Sequence, residues 1–356
     1  MFKPDLARSI QPHVNYLPAL LCGLLLAACG TNDGDTVGYA ETDPADVALA
    51  AADEPAFRLS LAQWSLHKRY LPEGVMGGTG EGDPYDFPAD AKEMGFEGVE
   101  YVSALYAGDL APEGADQATH DAAVLAVFDS LHARAEAAGI EEVLIMLDRE
   151  GELAAVDEAE REAAVANHRA YVDAAAASGI PTIRVNAGGE SLRAVASPAV
   201  AHAQAVKSLS ELGEYAAAKD VNVVVENHGG YSSEPVWLRD VMAAVAMDNV
   251  GVLPDFGNFC RRRNNPTVWE EGCADEVPAD SIYAAVGMWM PYAHAVSAKS
   301  YAFDDAGEET RIDYGRMMDT VLARGYRGFV GIEFEGGDLT EREGIAATKA
   351  LLEKQM

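Results

Sequence analysis

From residue 57 onward the chain repeats one pattern: a short apolar run rich in β-branched residues, then a longer stretch whose apolar positions recur every three or four residues. Runs of the first kind read as buried strands, and those of the second as amphipathic helices. The strand candidates are FRLSLAQ, GVEYV, EVLIML, TIRVN, NVVVEN, VGVLPD, HAVSAK and FVGIEFE, eight in all. Helical segments such as DAAVLAVFDSLHARAEAAG and NHRAYVDAAAASG stop at Gly139 and Gly179, and MMDTVLAR stops at Gly325. A glycine at such a place accepts the left-handed backbone that closes a helix. Eight strand and helix units predict a closed (β/α)8 TIM barrel of the α/β class, a single domain over 57–356. An open doubly wound sheet usually has about five or six strands, and no glycine-rich phosphate-binding turn follows the first strand here.

The segment before the barrel reads differently. Lys3 and Arg8 precede the apolar run LPALLCGLLLAAC, which is short for a bilayer span but suits the core of a signal peptide. It ends in Leu26-Ala27-Ala28-Cys29, which resembles the lipobox of bacterial lipoproteins. The resemblance implies a signal peptide over 1–28 and acylation of Cys29. Gly30 follows that cysteine, so the expected address is the periplasmic or outer-membrane face, with membrane contact through the lipid anchor only. Residues 29–56 carry seven acidic residues and no basic one, the composition of a flexible tether. With 26 Lys plus Arg against 58 Asp plus Glu, the net charge is -32. Such a surface repels phosphates and excludes a general nucleic-acid binder.

In barrels of this architecture the chemistry sits at the C-terminal ends of the strands. The first strand ends with Trp64 and His67, the second carries Glu100 and Tyr101, and the fourth ends at Asn186. The fifth supplies Glu226, Asn227 and His228, the sixth Asp255 and Asn258, the seventh Ser297 and Lys299, and the eighth Glu333 and Glu335. Residues two apart share a strand face, so Glu226 with His228, and Ser297 with Lys299, point the same way. Each carboxylate alone is as readily explained by an ion pair with Arg or Lys. Three converging on one mouth would repel one another without a cation between them. Oxygen ligands, with one imidazole at most, favour Mn²⁺ or Mg²⁺, with Zn²⁺ or Co²⁺ as alternatives.

The segments SLAQWSLH, FEGVEYV, IRVNAGG, VVVENHGG, LPDFGNFC, VSAKSY, IDYGRMMDTVLARGYRGFVGIEFEG and EGIAATKALLEK resemble, in that order, the xylose isomerase-like barrel superfamily. The nearest group is usually labelled sugar phosphate isomerase/epimerase, and the likeness runs from about Leu59 to the C-terminus. It implies that Glu226, Asp255 and Glu333 are three of four metal ligands. The fourth in those epimerases is a His two residues before a Lys, and here Ser297 stands there, before Lys299. His228, His294 or water is then left to complete the shell, His228 first.

The resemblance further implies that Glu226 and Glu333 act as base and acid on either side of an enediolate, with Lys299 neutralising the developing oxyanion. Trp64, His67, Glu100, Asn186, Asn258 and Ser297 are the expected carbohydrate contacts, and Tyr101 is a second candidate for ring stacking. The expected activity is a metal-dependent isomerase or epimerase acting on a sugar or keto-sugar. A lyase or deglycosidase on keto-glycosides is the alternative within the same chemistry, and a non-catalytic carbohydrate-binding surface lipoprotein is the alternative outside it. A metal-dependent nuclease needs a His-rich cluster and a basic groove, whereas this chain has eight His in all. Arg261 to Arg263 form the one dense basic spot, bracketed by Cys260 and Cys273, for which a disulfide and two free thiols are both open.

Overall fold

The structure, a computed structural model, describes residues 55–111, 114–265 and 272–356. The expected signal peptide, Cys29 and nearly all of the acidic tether therefore lie outside the described residues. Glu54–Met356 forms one compact unit.

Eight parallel strands carry the fold: β1 Arg58–Ala62, β2 Gly98–Val102, β3 Glu141–Met146, β4 Thr182–Val185, β5 Asn222–Glu226, β6 Val250–Leu253, β9 Val296–Ser300 and β10 Phe329–Phe334. Each falls within a segment that the hydrophobic pattern marks, to within one residue at its ends. They pair in the order β6-β5-β4-β3-β2-β1-β10-β9. Parallel bridges Val252 to Ala293 and Asp255 to Ser297 join the two outer strands and close the ring. Between the sixth and seventh barrel strands the chain adds an antiparallel hairpin that the pattern does not announce, β7 Cys260–Arg263 and β8 Cys273–Glu276. Cys260 and Cys273 join it as a disulfide.

Helices pack on the outside of the strands, and their ends obey local chemistry. Gln117–Ala138 and Glu158–Ser178 start at Asp116 and Asp157, whose carboxylates accept from the backbone N–H of Thr119 and Glu160. Both end at left-handed glycines, Gly139 and Gly179. The last helix, Glu341–Glu353, opens on a capping box between Thr340 and Glu343. Each such cap is worth about 1 kcal/mol. Among the described residues, no helix is long and apolar enough to cross a membrane.

Strand parity divides the core in two. On β5, Val223 and Val225 pack outward against the helices, while Val224 belongs to the small apolar cluster inside the barrel with Ala62, Val102, Leu144, Met146 and Leu253. The valine run is thus only in part barrel interior. The inward positions of the other strands are polar to an unusual degree: Ser60, Glu100, Arg184, Glu226, Ser297, Lys299 and Glu333 are all buried. A barrel that buries this many ionisable groups must pair them, and the pairing defines the site.

Candidate active site

Three carboxylates meet at the C-terminal mouth. Glu226 at the end of β5, Asp255 just beyond β6 and Glu333 on β10 each place an oxygen within 4.8 Å of the other two, and all three are buried. Asp255 is held in place at both oxygens. Its Oδ1 accepts from the backbone N–H of Gly257 and Asn258 at 2.8 and 2.7 Å, and its Oδ2 accepts from Ser297 Oγ at 2.7 Å. Asn227 fixes the same loop, taking the Asp255 N–H at 2.8 Å and donating to the carbonyls of Asp255 and Asn258. This explains the polar triplet that ends β5: Glu226 faces the site, and Asn227 anchors the neighbouring strand end. Gly230 completes the turn at φ +61°, where a Cβ would lie 2.4 Å from the Gly189 backbone.

Glu226 accepts from Asn258 Nδ2 at 2.8 Å, and its Oε2 lies 2.7 Å from Arg184 Nε. That Nε–H is not aligned on the oxygen, so both atoms are buried without a hydrogen bond. Ser297 Oγ also lies 3.2 Å from Glu333 Oε2. One hydroxyl proton can serve Asp255 or Glu333 but not both, so the second oxygen needs a proton of its own or a cation. The convergence of three buried carboxylates and this proton shortage both fit a divalent cation held by Glu226, Asp255 and Glu333. With Ser297 beside Asp255 and Glu333, the donors on hand are all oxygen, a set suited to Mg²⁺ or Mn²⁺.

Two fixed cations flank the triad. Lys299 Nζ lies 3.2 Å from Glu333 Oε1 and 3.4 Å from Glu335 Oε2, and it is fully buried. Burial opposes its charge, but Glu333 and Glu335 hold its pKa well above the usual lysine range. Arg184, inside β4, reaches both Glu226 and Asp148 Oδ1, the latter at 2.6 Å. Burial pushes Asp148 up, but Arg184 and His228 outweigh it and hold its pKa down at about 2. Burial lifts Asp255 to about 6 and Glu333 to about 8. Asp148 and Glu335 stay ionised beside Arg184 and Lys299, while burial raises Glu226, Asp255 and Glu333, the three groups whose charged forms a cation between them would favour.

A cavity of 570 Å³ opens over this group, lined by Trp64, His67, Asn186, His228 and Glu333 among others. Trp64 donates from Nε1 to Glu335 Oε1 at 2.7 Å and stacks on His67 with ring centroids 4.6 Å apart. His67 is held by the Trp64 carbonyl at 2.7 Å. Asn186 Nδ2 donates to Asp148 at 3.0 Å. His228 is neutral at pH 7: burial and the nearby Arg184 push it down to about 4.

Other expected positions fall elsewhere. His228 does not join the carboxylate cluster found among the described residues; it lines the cavity beside it. His294 precedes β9 at the opposite end of the strand, against Gly251 and the Asp248 backbone, and is out of reach of the shell. Glu100 lies one layer below the mouth, where its Oε1 accepts from Ser60 Oγ at 2.6 Å and its Oε2 has no partner. It reaches neither the cavity wall nor the carboxylate cluster and packs instead on Ser60 and Gly331, so it is a buried core carboxyl rather than a substrate contact. Gly331 exists to admit it, because a Cβ there would meet Glu100 Oε1 at 2.2 Å. Tyr101 points outward between Phe87 and Phe128 and donates to Glu142, so it cannot stack on a ligand. Arg184 and Asp148 were not singled out from the sequence. The signal for Arg184 was a lone cation within the buried run TIRVN, and for Asp148 a carboxylate just past EVLIML.

Residues 88–355 match the family model described as xylose isomerase-like TIM barrel. The chain belongs to this family. Solved structures agree with the fold of this xylose isomerase-like barrel. A 3-keto-D-glucoside 4-epimerase from E. coli, in apo form, is 14% identical with a TM-score of 0.59, covering 83% of this chain and 99% of its own. D-Psicose 3-epimerase from Clostridium cellulolyticum H10, solved with D-tagatose, is 14% identical with a TM-score of 0.57, covering 84% and 98%. A xylose isomerase-like TIM barrel protein from Mycobacterium smegmatis in complex with magnesium is 18% identical with a TM-score of 0.56, covering 84% and 97%. No curated protein sequence matches the chain. At these identities the likeness is one of fold, and function rests on the site.

Proposed function

We propose that this xylose isomerase-like barrel is a metal-dependent isomerase or epimerase that moves a proton at a carbon next to the carbonyl of a sugar or keto-sugar. The observation that carries the reading is the convergence of Glu226, Asp255 and Glu333, all buried, within 4.8 Å at the barrel mouth. Glu226, Asp255 and Glu333 would hold the ion, which when bound supplies Lewis-acid stabilisation of negative charge on the substrate oxygens. The sugar epimerases among the solved structures of this fold support the substrate class.

The residues divide the proton work. Glu226, beside Arg184, accepts the substrate proton at a carboxylate oxygen, leaving an enediolate. Glu333, entering the step with a proton, returns it from the other side, inverting the carbon or shifting the carbonyl according to where the proton lands. Lys299, 3.4 Å from Glu335 Oε2, offers its ammonium to the oxyanion. Trp64 and His67 form a stacked wall against which the sugar's apolar face can lie. Glu335 fixes Trp64 in that wall.

The expectation of an exported, lipid-anchored protein stands beside this reading as part of the proposal. Extracellular glycosides and oxidised sugars are then more accessible substrates than sugar phosphates. The test is metal analysis of the purified protein, with solvent deuterium exchange into a panel of keto-sugars. Wild type should bind about one divalent ion per chain and exchange deuterium at the carbon next to the carbonyl, and Asp255→Ala should lose both. A wild-type protein that binds no metal and exchanges no deuterium refutes the proposal.

A further inference from the structure

The mouth has a second chamber. A cavity of 680 Å³ lies on the side of β6 and β9, and Glu335 is a wall both of it and of the 570 Å³ cavity above the triad. Asn258 also lines the second chamber while donating to Glu226. The two spaces therefore adjoin at Glu335, beside the triad. Among the described residues, the second one holds no counterpart of the triad.

We propose that this chamber receives the O-linked ring of a glycoside, so that the substrate is a keto-disaccharide or a comparable keto-glycoside rather than a free keto-monosaccharide. The inference rests on the functional reading given above and names its substrate class. Size is the first reason. A whole small-molecule site occupies about 300–1,000 Å³, so each chamber accommodates a ring, and one hexose has no use for both.

Surface chemistry is the second reason. Apolar and planar surfaces, Val277, Ile312 and the Arg311 guanidinium lying 4.6 Å over the Tyr301 ring, alternate with the polar Thr310 and Asn258. Such walls match a sugar ring, which presents an apolar C–H face and a rim of hydroxyls. Rigidity is the third. The wall that carries Cys260 and Arg263 is closed by the Cys260 to Cys273 disulfide and tied down by Arg261 to Glu234 and Asp275. A wall ordered in advance reduces the entropy cost of holding a ligand.

The test compares a 3-keto-disaccharide with the matching free keto-hexose, in wild type and in Ala279→Phe. Ala279 is an exposed position on the chamber wall that touches none of the triad, so phenylalanine fills the space without removing a bond. Wild type should favour the disaccharide by at least about tenfold in kcat/KM, equivalent to about 1.4 kcal/mol. Ala279→Phe should erase that preference and leave the free ketose within about twofold. Calorimetry with the unoxidised disaccharide and monosaccharide reads binding independently of turnover. Equal kcat/KM and equal affinity for the one-ring and two-ring ligands in wild type, or an Ala279→Phe protein that treats the disaccharide as wild type does, overturns the inference. Disaccharide binding that Ala279→Phe abolishes, with no turnover of either sugar, upholds the chamber and refutes the proposed reaction.

Discussion

Glu100→Gln isolates the cost of one buried carboxyl. Glu100 is buried under the mouth, with Ser60 as its single hydrogen-bond donor and Oε2 unpartnered. Burial lifts its pKa from the ordinary 4.5 to about 7, Ser60 opposing and the nearby Glu226 adding to the rise. The folded state therefore keeps a proton that the unfolded chain releases. Between pH 4.5 and 7 the folded state binds more protons, so stability falls as pH rises and levels off above pH 7. At about 1.4 kcal/mol per pKa unit, the penalty is under about 1 kcal/mol at pH 5 and about 3 kcal/mol at pH 8. Glutamine keeps the acceptor for Ser60, fits the same volume and does not ionise. Denaturant unfolding of the two proteins at pH 5, 6.5 and 8 should show the variant gaining stability as pH rises, by up to about 3 kcal/mol. Its KM for any accepted sugar should equal that of wild type, because Glu100 does not line the cavity. A stability difference independent of pH, or a variant less stable than wild type at pH 8, would show that a cation keeps Glu100 ionised and would refute the reasoning.

Two further outcomes follow from the buried pairs. Arg184→Met strips Glu226 and Asp148 of their shared cation, and at pH 7 should cost about 3–5 kcal/mol in unfolding free energy, whereas Arg184→Lys, which keeps the charge but not the fork, should recover a measurable part; a neutral Met variant would mean that another cation neutralises the pair. The Cys260 to Cys273 disulfide closes a loop with a sequence separation of 13, so Cys260→Ser with Cys273→Ser should lower stability by about 3 kcal/mol at most. Because that hairpin lies outside the eight-stranded ring, the far-ultraviolet circular dichroism should stay unchanged, and loss of the barrel signal would contradict this placement.

Much of the barrel was legible in the chain because parallel strands covered on both faces are written as short apolar runs, and these eight were. Parity was legible too. Glu226, Glu333, Ser297 and Lys299 all face inward as their spacing implies. Depth was not legible, because it depends on the register between neighbouring strands. Glu100 and Glu226 are both inward glutamates on buried strands, yet one lies under the mouth and the other at it. His294 shares its segment with Ser297 and Lys299 but sits at the far end of the strand. No hydrophobic pattern marks the hairpin β7 to β8, because Cys260–Arg263 has neither alternation nor an apolar run.

The sequence by itself determined the eight barrel strands, the inward face of Glu226, Ser297, Lys299 and Glu333, and most of the carboxylates available for a site, but not the outward face of Tyr101 or the part played by Asp148. Only the closed tertiary structure decided which of them meet, because closure between β6 and β9 brings Asp255 and Ser297 together from positions 42 residues apart. It also decided that Arg184 and Lys299, one on β4 and one on β9, share the charge of the site. Local pattern can put a residue on a face, but convergence of charges depends on long-range register and curvature, which no local stretch encodes.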